Sequence, residues 1–201
     1  MIVQGVSIGD MLNQSMTVLT KPSVQSFEQF ERRGGQREAL IYVGVAAALA
    51  GIVGGVFGLL TGGIGGLIGG LVLGIVGPLL SFFVFSFRVY TIGKSQGGTG
   101  TQDEVFYTTS LYTAPILAVT GIVNAIPLLG CLLLPATIVL GIYQLYLGYL
   151  ATRSSMNLQQ NPAIITVVGA IVAMWIAGAI LTFILAAVGL GAAAASGALN
   201  N

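Results

Sequence analysis

The chain opens with a mixed, polar segment and then runs for long distances without a charge. No charged residue occurs between Ala39 and Phe87, and Phe106 to Ala151 is a second such stretch. A helix needs about 20 apolar residues to cross a hydrocarbon core of about 30 Å. Each stretch is too long for one crossing and suits two. The turn-forming run Thr61-Gly62-Gly63 divides the first. Asn124 and Pro127, near Gly130, divide the second. Spans are therefore predicted at 39–60, 64–90, 107–125 and 128–150. A fifth, at 163–190, is entered through Asn161-Pro162, where proline suits a first helical turn. The expected fold is an all-α, polytopic membrane bundle of five transmembrane helices over residues 38–190. A polar arm, 1–37, precedes it and a short tail, 191–201, follows.

Within the arm, Ile8, Met11, Leu12, Met16 and Leu19 recur at helical spacing and predict one apolar stripe. Pro22 ends that helix. Ser23 can cap a second short helix carrying Val24, Phe27 and Phe30, which Gly34-Gly35 terminate. Both pieces are too short and polar to span. They are expected as amphipathic helices on the membrane face, packed on the ends of the spans, or holding a soluble partner.

The basic residues give the orientation. With five spans, Lys21, Arg32, Arg33, Arg37, Arg88, Lys94 and Arg153 all fall on one side. Lysine and arginine are retained in the cytoplasm, so the N-terminus is expected inside and the C-terminus outside. Residues 1–20 have no basic residue ahead of their apolar ones, unlike a secretory signal peptide. The first span is then expected to direct insertion. Composition agrees: 55% of residues are hydrophobic and 6% charged, against about 25% charged in a soluble domain. A net charge of +1 gives no reason to expect nucleic acid as a partner.

Glycines crowd the first two spans, many four residues apart. Gly58, Gly62, Gly66 and Gly70 form the central series and are expected to pack helices closely, as in a glycine zipper. That packing serves an antiparallel hairpin, self-association, or a channel formed by oligomers. Pro78 removes one backbone hydrogen bond from the second span.

Candidate chemistry is sparse. There is no histidine, which excludes histidine-based triads and histidine metal sites. The acids Asp10, Glu28, Glu31, Glu38, Asp103 and Glu104 all lie outside the predicted spans, leaving no intramembrane carboxylate pair. Gly93-Lys94-Ser95 lacks the earlier glycine of a phosphate-binding loop, since Arg88 stands there. Gly97-Gly98-Thr99-Gly100 reads as a flexible loop. Cys131 reads as an apolar filler. Gln144 is expected to bond a neighbouring helix or line a solute path, and Tyr143, Tyr146 and Tyr149 to anchor at the interface. No catalytic, cofactor-binding or metal-binding residue is assigned, and no cofactor is expected.

Several short motifs resemble the Yip1 domain family. These are Gly97-Gly98-Thr99-Gly100 followed by Phe106-Tyr107, then Tyr112-Thr113-Ala114-Pro115, Ile126-Pro127-Leu128-Leu129-Gly130 and Gly141-Ile142-Tyr143. Upstream, Leu19-Thr20-Lys21-Pro22-Ser23 with Phe27 looks like the start of prokaryotic members. The resemblance implies a five-span protein with a cytoplasmic N-terminus. It carries Tyr112, Pro115, Pro127 and Gly130 as family-like structural positions. Eukaryotic relatives bind prenylated Rab GTPases in vesicle traffic. This chain has neither their Asp-Leu-Tyr-Gly-Pro type motif nor their long N-terminal domain, so Rab-type GTPase binding is not expected. The compact form looks prokaryotic and implies the plasma membrane. The expected function is non-enzymatic membrane organisation or scaffolding, a trafficking-like role, with lipid bilayer, a second copy or another membrane protein as partner. A small-solute or ion channel is the alternative.

Overall fold

A computed structural model describes residues 5–176 and residue 179. Every regular element among them is a helix. The helices are α1 (Ile8–Thr20), α2 (Val24–Glu28), α3 (Gln36–Ser95), α4 (Gln102–Ala125), α5 (Pro127–Leu132), α6 (Leu134–Ser155) and α7 (Gln160–Ile176). Three of them, α3, α4 and α6, are long and apolar enough to cross a membrane, and α7 is shorter over its described length. The rest of the predicted fifth span and the tail 191–201 lie outside the described residues.

Local chemistry starts several helices. Ser7 and Asp10 form a reciprocal cap on α1, with Asp10 N–H donating to Ser7 Oγ at 3.1 Å. Thr101 and Glu104 do the same for α4. Glu38 accepts the Gly35 N–H at 3.0 Å as α3 begins. Each arrangement satisfies backbone donors that a helix start leaves open.

α3 is a hairpin of two arms, residues 36–61 and 64–95. Its only non-helical dihedrals are at Gly62 and at Gly63, where φ is +60° and ψ −148°. A residue with a Cβ avoids that region, so the reversal needs glycine at 63. Pro78 is passed without a break. The arms touch backbone to backbone. A Cβ built on Gly58 would land on the Gly66 carbonyl oxygen, and one on Gly66 would land on that of Gly58. Gly70 meets Gly54 in the same way, and a Cβ on Gly74 would lie 2.6 Å from the Gly51 Cα. Gly62 has nothing within 4 Å, because it lies in the turn and not in the contact.

α4 is the post around which the rest assembles. Residues 104–112 are all buried, as happens when a helix is surrounded on every side. Phe82, Phe106, Tyr107, Leu111, Tyr112 and Leu147 fill the core there, with Met11, Val18 and Phe27 from the arm. Toward the other end the packing thins, and Leu128 is 86% exposed.

Three expectations are corrected. The stretch 128–150 is not one helix: it is broken at Leu133, since Pro135 lies at the start of α6 and favours a fresh first turn. The α1 stripe is divided. Met11, Ser15 and Val18 are buried against the bundle, whereas Ile8, Leu12 and Met16 are exposed. α2 stops at Glu28, before Phe30.

Candidate functional site at the charged end of the bundle

All thirteen charged residues lie between Asp10 and Arg153. They sit on the arm, on the loop leading into α3, or within about two turns of a helix end on that side. This is the charged end. The turn at Gly62–Gly63 and the α4–α6 connection form an end with no charge.

Three tyrosines from three helices hold α1 across the charged end. Tyr42 of α3 shares a hydrogen bond with Ser15, oxygen to oxygen at 2.9 Å. Tyr107 of α4 donates to Gln14 Oε1 at 2.8 Å. Tyr143 of α6 donates to the Leu19 carbonyl at 2.6 Å. The three bonds follow α1 from its middle to its last turn. The arm is thus docked onto the bundle.

The segment after α2 is tied to α4 and α6. Ser154 Oγ donates to Glu31 Oε2 at 2.8 Å. Arg32 Nε donates to Glu104 Oε1 at 3.0 Å and stands 3.7 Å from Glu31. Burial pushes the Glu31 carboxyl above its ordinary range, and the Glu104 and Glu28 carboxylates push it the same way. The Ser154 bond and the Arg32 charge offset part of this. Asp103 accepts the Gln36 N–H at 3.0 Å, and Gln102 donates to the Gln36 side chain.

The glycine loop at 97–100 is docked, correcting the expectation of a flexible one. Thr99 N–H donates to the Met156 carbonyl at 3.0 Å, and Asn157 donates to Thr99 Oγ1 at 3.1 Å. A Cβ on Gly100 would strike the Ser155 carbonyl oxygen. With Gly98 packed against Met156 and Gly93, and Gly100 against Ser155, these two positions have no room to wrap a phosphate.

Acids and bases are used differently here. Asp10, Glu31, Glu38, Asp103 and Glu104 each accept an internal hydrogen bond. Among the described residues only Arg32 forms an ion pair. Lys21, Arg33, Arg37, Arg88 and Lys94 are exposed. The outward face of this end therefore carries cations.

The Yip1 domain family matches residues 16–181. The chain belongs to the Yip1 domain family. No curated protein and no solved structure matches it. Family membership and the long apolar helices together make it an integral membrane protein.

The family-like positions do not converge on one site in this Yip1-family chain. Tyr112 is buried in the α4 core, its ring edge-on to Phe27 at 6.3 Å and its hydroxyl over Gly148. Pro115 lies one turn further along α4. Pro127 and Gly130 belong to the turn at the uncharged end, where Gly130 N–H donates to the Ile126 carbonyl. Of the glycines expected to pack, Gly58, Gly66 and Gly70 meet their counterparts across the hairpin. Sequence reading passed over Ser15, Tyr42, Glu31 and Ser154 as a set. For Ser15, Tyr42 and Ser154 the only signal was polarity within largely apolar helices, and Glu31 lies in the turn after α2.

Proposed function

We propose that this protein is a non-enzymatic, five-pass membrane organiser with its charged end in the cytoplasm. The five passes are the two arms of α3, α4, α5 with α6, and the span predicted at 163–190. The observation that carries this reading is the partition of charge. Five of the six acids accept caps or internal bonds, while Lys21, Arg33, Arg37, Arg88 and Lys94 are exposed at that same end. Cations so placed favour the anionic inner leaflet and set the orientation. The docked arm then presents a fixed surface to a second copy or another membrane protein, beside the lipid. The plasma membrane of a prokaryote is the setting this form fits.

The glycine contacts support an internal hairpin, since Gly58, Gly66 and Gly70 are engaged within one chain. Such engagement leaves those three glycines no free face for lining a pore between copies. The test is crosslinking in native membranes from a photoreactive residue at Asn13, which is exposed on the arm. Capture of a defined membrane protein or a second copy supports the reading. Solute flux through purified protein in liposomes, without any captured partner, would replace it with a channel.

A further inference from the structure

At mid-depth the second arm of α3, α4, α6 and α7 do not close on one another. They leave a cavity of about 380 Å³, inside the roughly 300–1,000 Å³ range of small-molecule sites. Phe82, Leu117 and Ile171 contribute apolar wall, and Ser81, Thr113 and Gln144 contribute uncharged polar groups. No charged side chain lines it. Gly141 helps to keep it open, since a Cβ there would meet nothing within 4 Å.

The polar groups are only partly used by the protein. Thr120 bonds back to the Ile116 carbonyl, but among the described residues the Ser81 and Gln144 side chains have no such partner. An unpaired polar group surrounded by hydrocarbon is costly. Ser81, Gly141, Leu145 and Trp175 line the cavity and are also exposed on the apolar flank of the bundle. The cavity therefore communicates sideways with lipid.

We propose that this cavity binds a neutral membrane amphiphile. Its apolar chain lies between the four helices, and an uncharged hydroxyl or ester group bonds Gln144 and Ser81. A charged headgroup does not fit: Gln144 is nine residues before Arg153, about 13 Å deeper along the helix, and the cavity has no counter-charge for it.

The test uses the full chain in phosphatidylcholine nanodiscs. A photoactivatable diacylglycerol and a photoactivatable phosphatidylcholine are compared, and labelled residues are read by mass spectrometry. The diacylglycerol probe is expected to label the Thr113 and Gln144 walls. Gly141→Phe should abolish that labelling and leave the outward-facing Ile138 and Val139 labelled as before. Gln144→Leu should weaken it about fivefold, as for one lost hydrogen bond. Excess unlabelled diacylglycerol should suppress wall labelling in the unaltered protein, which needs no variant to fold. Equal wall labelling by the two probes, or wall labelling that survives both competition and Gly141→Phe, overturns the proposal.

Discussion

Ser154, near the end of α6, donates its hydroxyl to the Glu31 carboxylate across 123 residues of chain, at 2.8 Å. This bond joins the arm to a helix that does not directly follow it in the chain. It also holds an acid where water is scarce, because Glu31 is only 8% exposed.

The pH response follows from that burial. The Glu31 carboxyl is raised above its ordinary value of 4.5, so the folded state holds the proton more tightly than the unfolded state. The stability linked to this proton is fully present below 4.5. It is lost as pH rises through the raised folded value. Thermal unfolding in detergent micelles from pH 4 to 8 should show stability declining across that window. Glu31→Gln keeps an acceptor for Ser154, and its curve should be flatter with a higher midpoint at pH 7. A steeper curve in the variant contradicts the assignment.

The hairpin makes a positional prediction. Gly66→Val puts a side chain into the Gly58 carbonyl, whereas the neighbouring Gly65 has nothing within 4 Å of a new Cβ. Overpacking of this kind costs about 1–3 kcal/mol or more. Gly65→Val should be near neutral in comparison. Unfolding midpoints of the two variants in the same micelle decide it, and equal losses would mean that the arms do not meet at Gly58 and Gly66.

The tyrosine clasp predicts a local effect. Tyr143→Phe removes the donor to the Leu19 carbonyl, a loss of about 1 kcal/mol. Hydrogen exchange of α1 amides should accelerate about fivefold in that variant. Exchange in α4 should change far less. Unchanged α1 exchange would show that the Tyr143 bond does not help to hold the arm.

Much of the fold could be read from charge and glycine. The uncharged stretches mark where helices are long and apolar, and Gly62–Gly63 marks the reversal because only glycine takes the dihedrals found at 63. The interruption at Leu133 was hidden. Inside an entirely apolar run, hydropathy offers no contrast at a turn, and Pro135 was its only sign. The buried face of α1 was hidden for a different reason. Apolar residues lie on two sides of that helix, and the side that carries Ser15 is chosen by partners far along the chain, Tyr42 among them. The docking of Gly97–Gly100 depends on Met156, more than fifty residues away, which composition cannot reveal.

The central claim is that one end of the bundle gathers the charges and faces the cytoplasm. Paired reporter fusions test it most directly, one reporter active only inside the cell and one only outside. Fusions after Lys94 and after Arg153 should both report the inside, and fusions after Gly63 and after Leu133 the outside. Opposite reports from Lys94 and Arg153 would contradict the account.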